Sequence, residues 1–454
     1  MSRSGARAAA GGRKTRTAAA VLATAAGLAL TACAPGGSAP AATPRAAVST
    51  EIGTEQIELS LYNSQGSKAK TEALIKGFEA EHPNIDITAR YDPDNVVSQN
   101  LPRLLSSPDS PDLALSTGAV VDNVRKGLLV NLEPYAEAYG WDALPSSQLA
   151  SARVSAEGIQ GQGSLYAMPD GFTLTGMFYN KQLAAKLGMD KPPASVAELE
   201  ALLAKAKDAG ITPIMTAGQL GLGTTAYQDL LNNELGPQKV NEWIYRVPGS
   251  TIDNADGVRA AQTLKKWVDA GYFNDDANGT SQDASYSRFA DGEALFMFQG
   301  NWAVPILAPG MKDNLGFALF PPVEEGGPVA AMSGPASPFA ISAQSEHPDA
   351  AAAFLDWLRS DEARRIAVDN GLAPVGTADQ ELPPVKAGTV EEAVQQGFRQ
   401  LSADNGLVDF VQNATAGIQV NAWNPESQRL FGGQASPQEF VTAVQRVYES
   451  ELGK

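Results

Sequence analysis

The chain has 454 residues, of which 43% are apolar and 19% charged, so it has room for two or three domains and enough apolar surface to fill their cores. Its formal charge of −17 argues against a surface that reads nucleic-acid phosphates, which needs clustered Lys and Arg. One cysteine excludes an intrachain disulfide or a thiolate zinc site, and the two histidines, in His82-Pro83 and His347-Pro348, leave little for imidazole chemistry.

In chain order, the first segment is an address. Arg3, Arg7, Arg13, Lys14 and Arg16 precede an apolar run from Ala18 to Leu30, and no acidic residue occurs before Glu51. The run is shorter than the ~20 residues a membrane-spanning helix needs. A basic start, a short apolar core and a small-residue end make residues 1–32 a secretory signal. Its end, Leu30-Thr31-Ala32-Cys33, resembles a bacterial lipobox, which implies that Cys33 becomes the lipid-modified first residue of the mature chain. No Arg-Arg pair supports a twin-arginine signal. Residues 33–54 are rich in Ala, Pro, Gly, Ser and Thr and are expected to form a flexible tether. Loss of the signal removes five positive charges, taking the net charge to −22 (−17 − 5). Membrane contact is then expected through lipid alone.

Ile57 to Tyr62 alternates apolar and polar residues as a half-buried strand does, and Asn63 to Ser67 breaks the pattern. A helix follows with Leu74, Ile75 and Phe78 on one face, ending near His82-Pro83. Ile85–Ala89 reads as a second strand, Leu101, Leu104 and Leu105 as a second helix, and Asp112–Thr117 as a third strand before a helix through Val120, Val121 and Val124. Strands alternating with helices predict βαβ units and a parallel sheet, with ligands beyond the carboxyl ends of its strands. Asn63, Gln65, Ser116 and Thr117 fall there, although Asn and Ser are equally ordinary turn residues. Further on, Ser195-x-x-Glu198 and Ser436-Pro437-x-Glu439 are capping boxes, and Pro348 opens a helix. Phosphate-loop, zinc-protease and serine-hydrolase motifs are absent from the sequence.

Several separated segments resemble one family, the extracellular solute-binding proteins of ABC importers, family 1. They are Pro111-Asp112, Gly127–Leu132, Tyr166–Pro169, Phe178–Leu183, Pro192–Ser195, Phe289–Ala294 leading through Met297 to Gly300-Asn301-Trp302, His347–Ala351 with Phe354-Leu355, and Gly371–Val375. The resemblance implies an α/β, two-lobed fold of the type II periplasmic-binding kind, with lobes hinged around a ligand cleft. Crossings between lobes are expected near 168–172, 320–326 and 376–381. The first lobe would then comprise 55–168 plus 326–376, and the second 172–320 plus 381–454. The implied function is capture of a sugar or oligosaccharide and its delivery to membrane permease subunits, by a monomer outside the cytoplasm, without a cofactor or catalysis.

Sugars combine apolar C–H faces with many hydroxyls, so their sites pair an aromatic platform with polar side chains. Trp302 matches the family's sugar-stacking Gly-x-Trp, and Trp423 lies late in the second lobe, where relatives bring another aromatic to the cleft. Trp267 and Trp357 sit on apolar helix faces and read as core. Asp170 and Asp283 are the acidic candidates. Gln299, Asn301, Ser333 and Gly334 join Asn63, Gln65, Ser116 and Thr117 as candidate polar contacts. Alternatives are a carrier of another small solute, a lipid-anchored glycoside hydrolase, which needs two carboxylates flanking one bond, and a passive adhesin.

Overall fold

The computed structural model describes residues 48–116, 120–219, 223–377, 379–415 and 417–453; the signal, Cys33, most of the tether and Thr117 lie outside the described residues. The last tether residues belong to the folded body. Val48 and Ile52 pack against the core, and the Asn84 amide donates to the Glu55 carbonyl at 3.0 Å. The tether expected through residue 54 is shortened by those two apolar contacts.

The first sheet contains β1 (Ile57–Ser64), β2 (Ile85–Asp92) and β3 (Leu113–Leu115), with β1 central and parallel to both. β1 alternates only at its start; from Leu61 to Ser64 every residue is buried. A central parallel strand is covered on both faces, which ends the alternation and carries the strand two residues past the expected break. The helix Lys68–Glu81 covers it with Leu74, Ile75 and Phe78. Phe78 meets Phe354 and Trp357 edge-on at 5.3 and 6.1 Å, so Trp357 is core as its helix face suggests. Gly77 stands in the middle of this helix because a Cβ there would lie 2.5 Å from the Trp357 ring. A short hairpin of β4 (Arg153–Val154) and β5 (Ser164–Leu165) follows.

The second sheet is built on β6 (Phe172–Asn180), which is antiparallel to three strands. β8 (Ala294–Gly300) lies along one edge, with β7 (Thr212–Ile214) beyond it. β9 (Leu315–Ala318) and β10 (Ala331–Pro335) take successive stretches of the other edge, and β12 (Leu407–Val408) pairs with β10. β11 (Phe339–Ile341) returns to the first sheet antiparallel to β3, so that sheet is mixed rather than purely parallel.

The chain leaves the first sheet at Met168, which bridges Phe339, and enters β6 at Phe172. The return differs from the expected 320–326. β10 still belongs to the second sheet, and the crossing runs from Pro335 to Phe339. The cause is pairing: Ser333 to Pro335 continue along β6, opposite Leu174 to Phe172. Residues 326–335 therefore precede the crossing and stand with the second lobe rather than the first. The crossings are fastened to the first lobe by buried cations. Lys70, on the helix Lys68–Glu81, pairs with Asp170 in the first crossing and donates to the Ser337 hydroxyl in the second at 3.1 Å. Asp170 also accepts the Ser337 amide at 2.9 Å. Arg364 donates to the carbonyls of Val375 and Glu381, around the stretch expected as the third crossing, at 2.9 and 2.8 Å. Pairing and hydrogen bonding offset part of the desolvation penalty, yet burial still pushes the Asp170 carboxyl up and the Arg364 guanidinium down.

Candidate functional site

Two adjoining cavities open between the lobes. The narrower, about 470 Å³, is lined by Ser116 and Ala167 from the first lobe and Thr173, Trp302, Gly334 and Phe410 from the second. The wider, about 750 Å³, reaches Arg153, Gln160, Asn241, Glu242 and Tyr245. Ser151, Gln160, Gly334, Pro335 and Asp409 line both, so the two chambers form one cleft. The lobes touch at one rim, where the Tyr245 ring lies against Gly161, 2.4 Å from the position a Cβ would take. Gly161 has φ +87, a conformation glycine adopts at no steric cost.

Trp302 follows β8 in a short helical turn, Asn301–Ala303, and is partly exposed. Its ring folds back over Gly300, where a Cβ would stand 2.0 Å from the indole. This explains the glycine two places before the tryptophan. The indole lies beside the Tyr286 hydroxyl, and its nearness opposes the rise that burial gives that phenol. Its remaining surface faces the narrow chamber, with the Phe410 ring centred 6.1 Å away at 49°. Ser116 supplies a buried hydroxyl to the same chamber, and that hydroxyl has no hydrogen-bond partner among the described residues. Buried polar groups are normally paired, so this one is available to a ligand.

The other candidates fall in different places. Ser333 lines the wide chamber while its hydroxyl donates to the Thr173 carbonyl at 2.7 Å, and Gly334 lines both chambers. Asn63 is fully buried and spent on its own turn, donating to Thr71 at 2.8 Å and accepting the Ser64 amide at 2.7 Å. Asn301 clamps β6, accepting from the Leu174 amide and donating to the Phe172 carbonyl. Gln299 is buried and accepts the Gly300 amide at 3.1 Å. Asp170 is held by Lys70 and Ser337, away from both chambers. Gln65 and Asp283 are exposed and line neither. Trp423 is in the second core, 1% exposed, among Tyr227, Trp243 and Phe440, with its indole N–H on the Val411 carbonyl. Its helical turn faces the helix Pro437–Glu451 rather than the cleft. The late aromatic that reaches the cleft is Phe410.

Asp409 is the main residue that sequence reasoning missed. It follows β12, a strand of two residues with no readable periodicity. One carboxylate oxygen accepts the Phe410 amide and the Asn413 side chain, both at 2.7 Å. The backbone is fixed as well: the Asp409 amide donates to Asn241 at 2.9 Å and its carbonyl accepts from Gln228 at 2.7 Å. Burial pushes the carboxyl up to about 6 against the pull of Asn413 and the Phe410 amide. The sign follows from linkage. The neutral form is favoured in the folded state, so the contribution is intact at low pH and is lost as pH rises through about 6. A difference of this size corresponds to ~3 kcal/mol. Asp409→Asn should therefore raise the ligand-free melting temperature at pH 8 and change it little at pH 4. A melt series over that range checks the expectation, and an equal effect at both ends would contradict it.

The chain matches the family model for bacterial extracellular solute-binding proteins over residues 63–365, two thirds of its length. It is 24% identical over 329 residues to a putative binding protein of Brucella abortus (strain 2308), covering 68% of this chain and 74% of that one. It is also 24% identical over 384 residues to an uncharacterized ABC transporter extracellular-binding protein of Pyrococcus horikoshii, covering 80% and 81%. Among solved structures, a chitin oligosaccharide binding protein superposes with a TM-score of 0.67 at 20% identity, over 88% of this chain and 100% of that one. That likeness is one of fold. The chain belongs to the bacterial extracellular solute-binding protein family.

Proposed function

We propose that this chain is the substrate-binding lipoprotein of an ABC importer, and that it captures a sugar or oligosaccharide between its lobes for a membrane permease. The observation that carries the reading is the narrow chamber. A partly exposed Trp302 beside Phe410 offers apolar faces to a sugar ring, while the free Ser116 hydroxyl and Asp409 offer partners for its hydroxyls. Together with the wider chamber, the cleft is of small-molecule size and extends past a single contact point. The solved chitin oligosaccharide binding protein is consistent with this ligand class. Trp302, Ser116, Ser333 and Gly334, which line the two chambers, are the proposed ligand contacts.

Closure of the lobes would bury the solute and present a new outer surface to the permease. The protein is proposed to act as a monomer, anchored outside the cytoplasm by lipid on Cys33, and to return its ligand chemically unchanged. A melting screen against a sugar panel tests the ligand class: a sugar at 100 times its dissociation constant should add about 2.7 kcal/mol. No stabilisation by any sugar would remove the reading. The anchor has its own test. Cys33→Ser should release the protein from the membrane fraction or stall its processing, and a variant as firmly bound as the wild type would rule out lipidation.

A further inference from the structure

Two well-held elements from opposite lobes meet at the wide chamber. The first-lobe element is the loop of the β4–β5 hairpin. It is bonded to itself, with the Gly161 amide on the Arg153 carbonyl at 3.0 Å and the Ser155 amide on the Ile159 carbonyl at 2.9 Å. It is also bonded to its lobe, since Arg125 donates to the Glu157 carbonyl at 3.1 Å and Arg153 to Glu133 at 2.6 Å. The second-lobe element is the helix Pro237–Ile244, anchored by a fully buried Trp243 that stacks on Tyr448 at 4.5 Å. Tyr245 caps that helix, its amide on the Asn241 carbonyl at 2.8 Å. The next residue, Arg246, has φ 64, in the left-handed region that a non-glycine residue enters at a cost. Its guanidinium donates to the Ala414 carbonyl at 2.7 Å. The backbone on both sides of Tyr245 is therefore fixed.

The contact itself takes the shape of a ring on a seat. Gly161 has no side chain, and a Cβ there would overlap the Tyr245 ring. Tyr245 is 8% exposed and belongs to the second core, and Ala150 of the first lobe packs against that same core. Ala150, Gly161 and Tyr245 all line the wide chamber. Moving the lobes apart must part these contacts and expose apolar surface to water, at a cost that grows with the area uncovered.

We infer that Tyr245 and Gly161 form a latch between the lobes: the ring leaves its glycine seat when the cleft opens and returns to it over a bound solute, so the pair sets how slowly the solute is released. This rests on the reading of the cleft as one that closes over its ligand, and it adds the contact that times release. Tyr245 is a positioning residue in this role, acting through the relation of the two lobes.

The test pairs a ligand-free measurement with a kinetic one on the full chain. Small-angle scattering without ligand should give a larger radius of gyration for Tyr245→Ala and for Gly161→Ala than for the wild type, and an unchanged one for Tyr245→Phe, which keeps the ring. Chitotriose, maltotriose, xylotriose and raffinose are then offered, and dissociation of each sugar that binds is followed by tryptophan fluorescence after rapid mixing. Gly161→Ala should speed release at least about fivefold in the wild-type background and less than about twofold in the Tyr245→Ala background, because residues in contact are coupled and the second change finds the contact already lost. Equal effects of Gly161→Ala in the two backgrounds would make it a local strain of the hairpin, which overturns the latch and leaves the sugar reading standing. If no sugar binds, the sugar reading falls and scattering alone decides: radii equal to the wild type in both alanine variants overturn the latch, and larger ones uphold it.

Discussion

Trp302→Ala should weaken sugar binding roughly 30- to 1000-fold while lowering the ligand-free melting temperature only slightly. Loss of a stacking aromatic costs about 0.5–1.5 kcal/mol beyond its area. With the buried area added, ~2–4 kcal/mol is the expected loss, and about 1.4 kcal/mol is a factor of ten. Stability should be largely spared because the ring lies over Gly300 at the cleft wall and is partly exposed, so its removal widens an existing opening. Calorimetric titration and melting of the same variant separate the two effects. A large fall in melting temperature with near-normal affinity would make Trp302 a packing residue.

Trp423→Ala should show the reverse pattern. This ring is 1% exposed and meets Tyr227 at 5.8 Å, Trp243 at 6.0 Å and Phe440 at 6.1 Å. Truncating a packed aromatic costs about 3–5 kcal/mol, and the Val411 carbonyl would also lose its indole donor. Denaturant unfolding should report that loss, with the affinity of the molecules that remain folded close to normal. Trp423→Phe, which keeps most of the volume, should recover much of the stability. If Trp423→Ala instead left stability intact and abolished sugar binding, the ring would belong to the cleft after all.

The two tryptophans show where sequence reading stops. Each follows an asparagine within two residues, and each lies in a short helical turn, yet one lines the cleft and the other fills a core. Their fates depend on the helix Pro437–Glu451 and on the strands around β6, which are distant in sequence. Asp409 is the mirror case. Nothing in Leu407-Val408-Asp409-Phe410 marks it, because its environment is made by Asn241, Gln228 and Asn413, and by the opposite lobe.

Local order was legible because it depends on neighbouring residues. The βα alternation of the first lobe, the helix Lys68–Glu81 with its Leu74, Ile75 and Phe78 face, and the capping box of Ser436 and Glu439 are all present. Even there, partners can shift: the Ser195 hydroxyl accepts the Glu198 amide at 3.2 Å, but the Glu198 carboxylate takes the amide of Ala194 rather than that of Ser195. The family was legible too, through ordered motifs spread along the chain. The second crossing and the composition of the cleft were not. Whether residues 331–335 join the second sheet is decided by the unpaired edge that β6 offers them. Whether a polar side chain faces a ligand or its own backbone is decided by which hydrogen bonds the fold leaves unfilled, as Ser116 and Asn63 show in opposite senses. Sequence therefore determined the elements and the family, where the energies are set within a few turns of chain. Tertiary structure decided the site, because Ser116, after β3 of the first sheet, meets Trp302 and Asp409, after β8 and β12 of the second, only when the two sheets are assembled around the cleft.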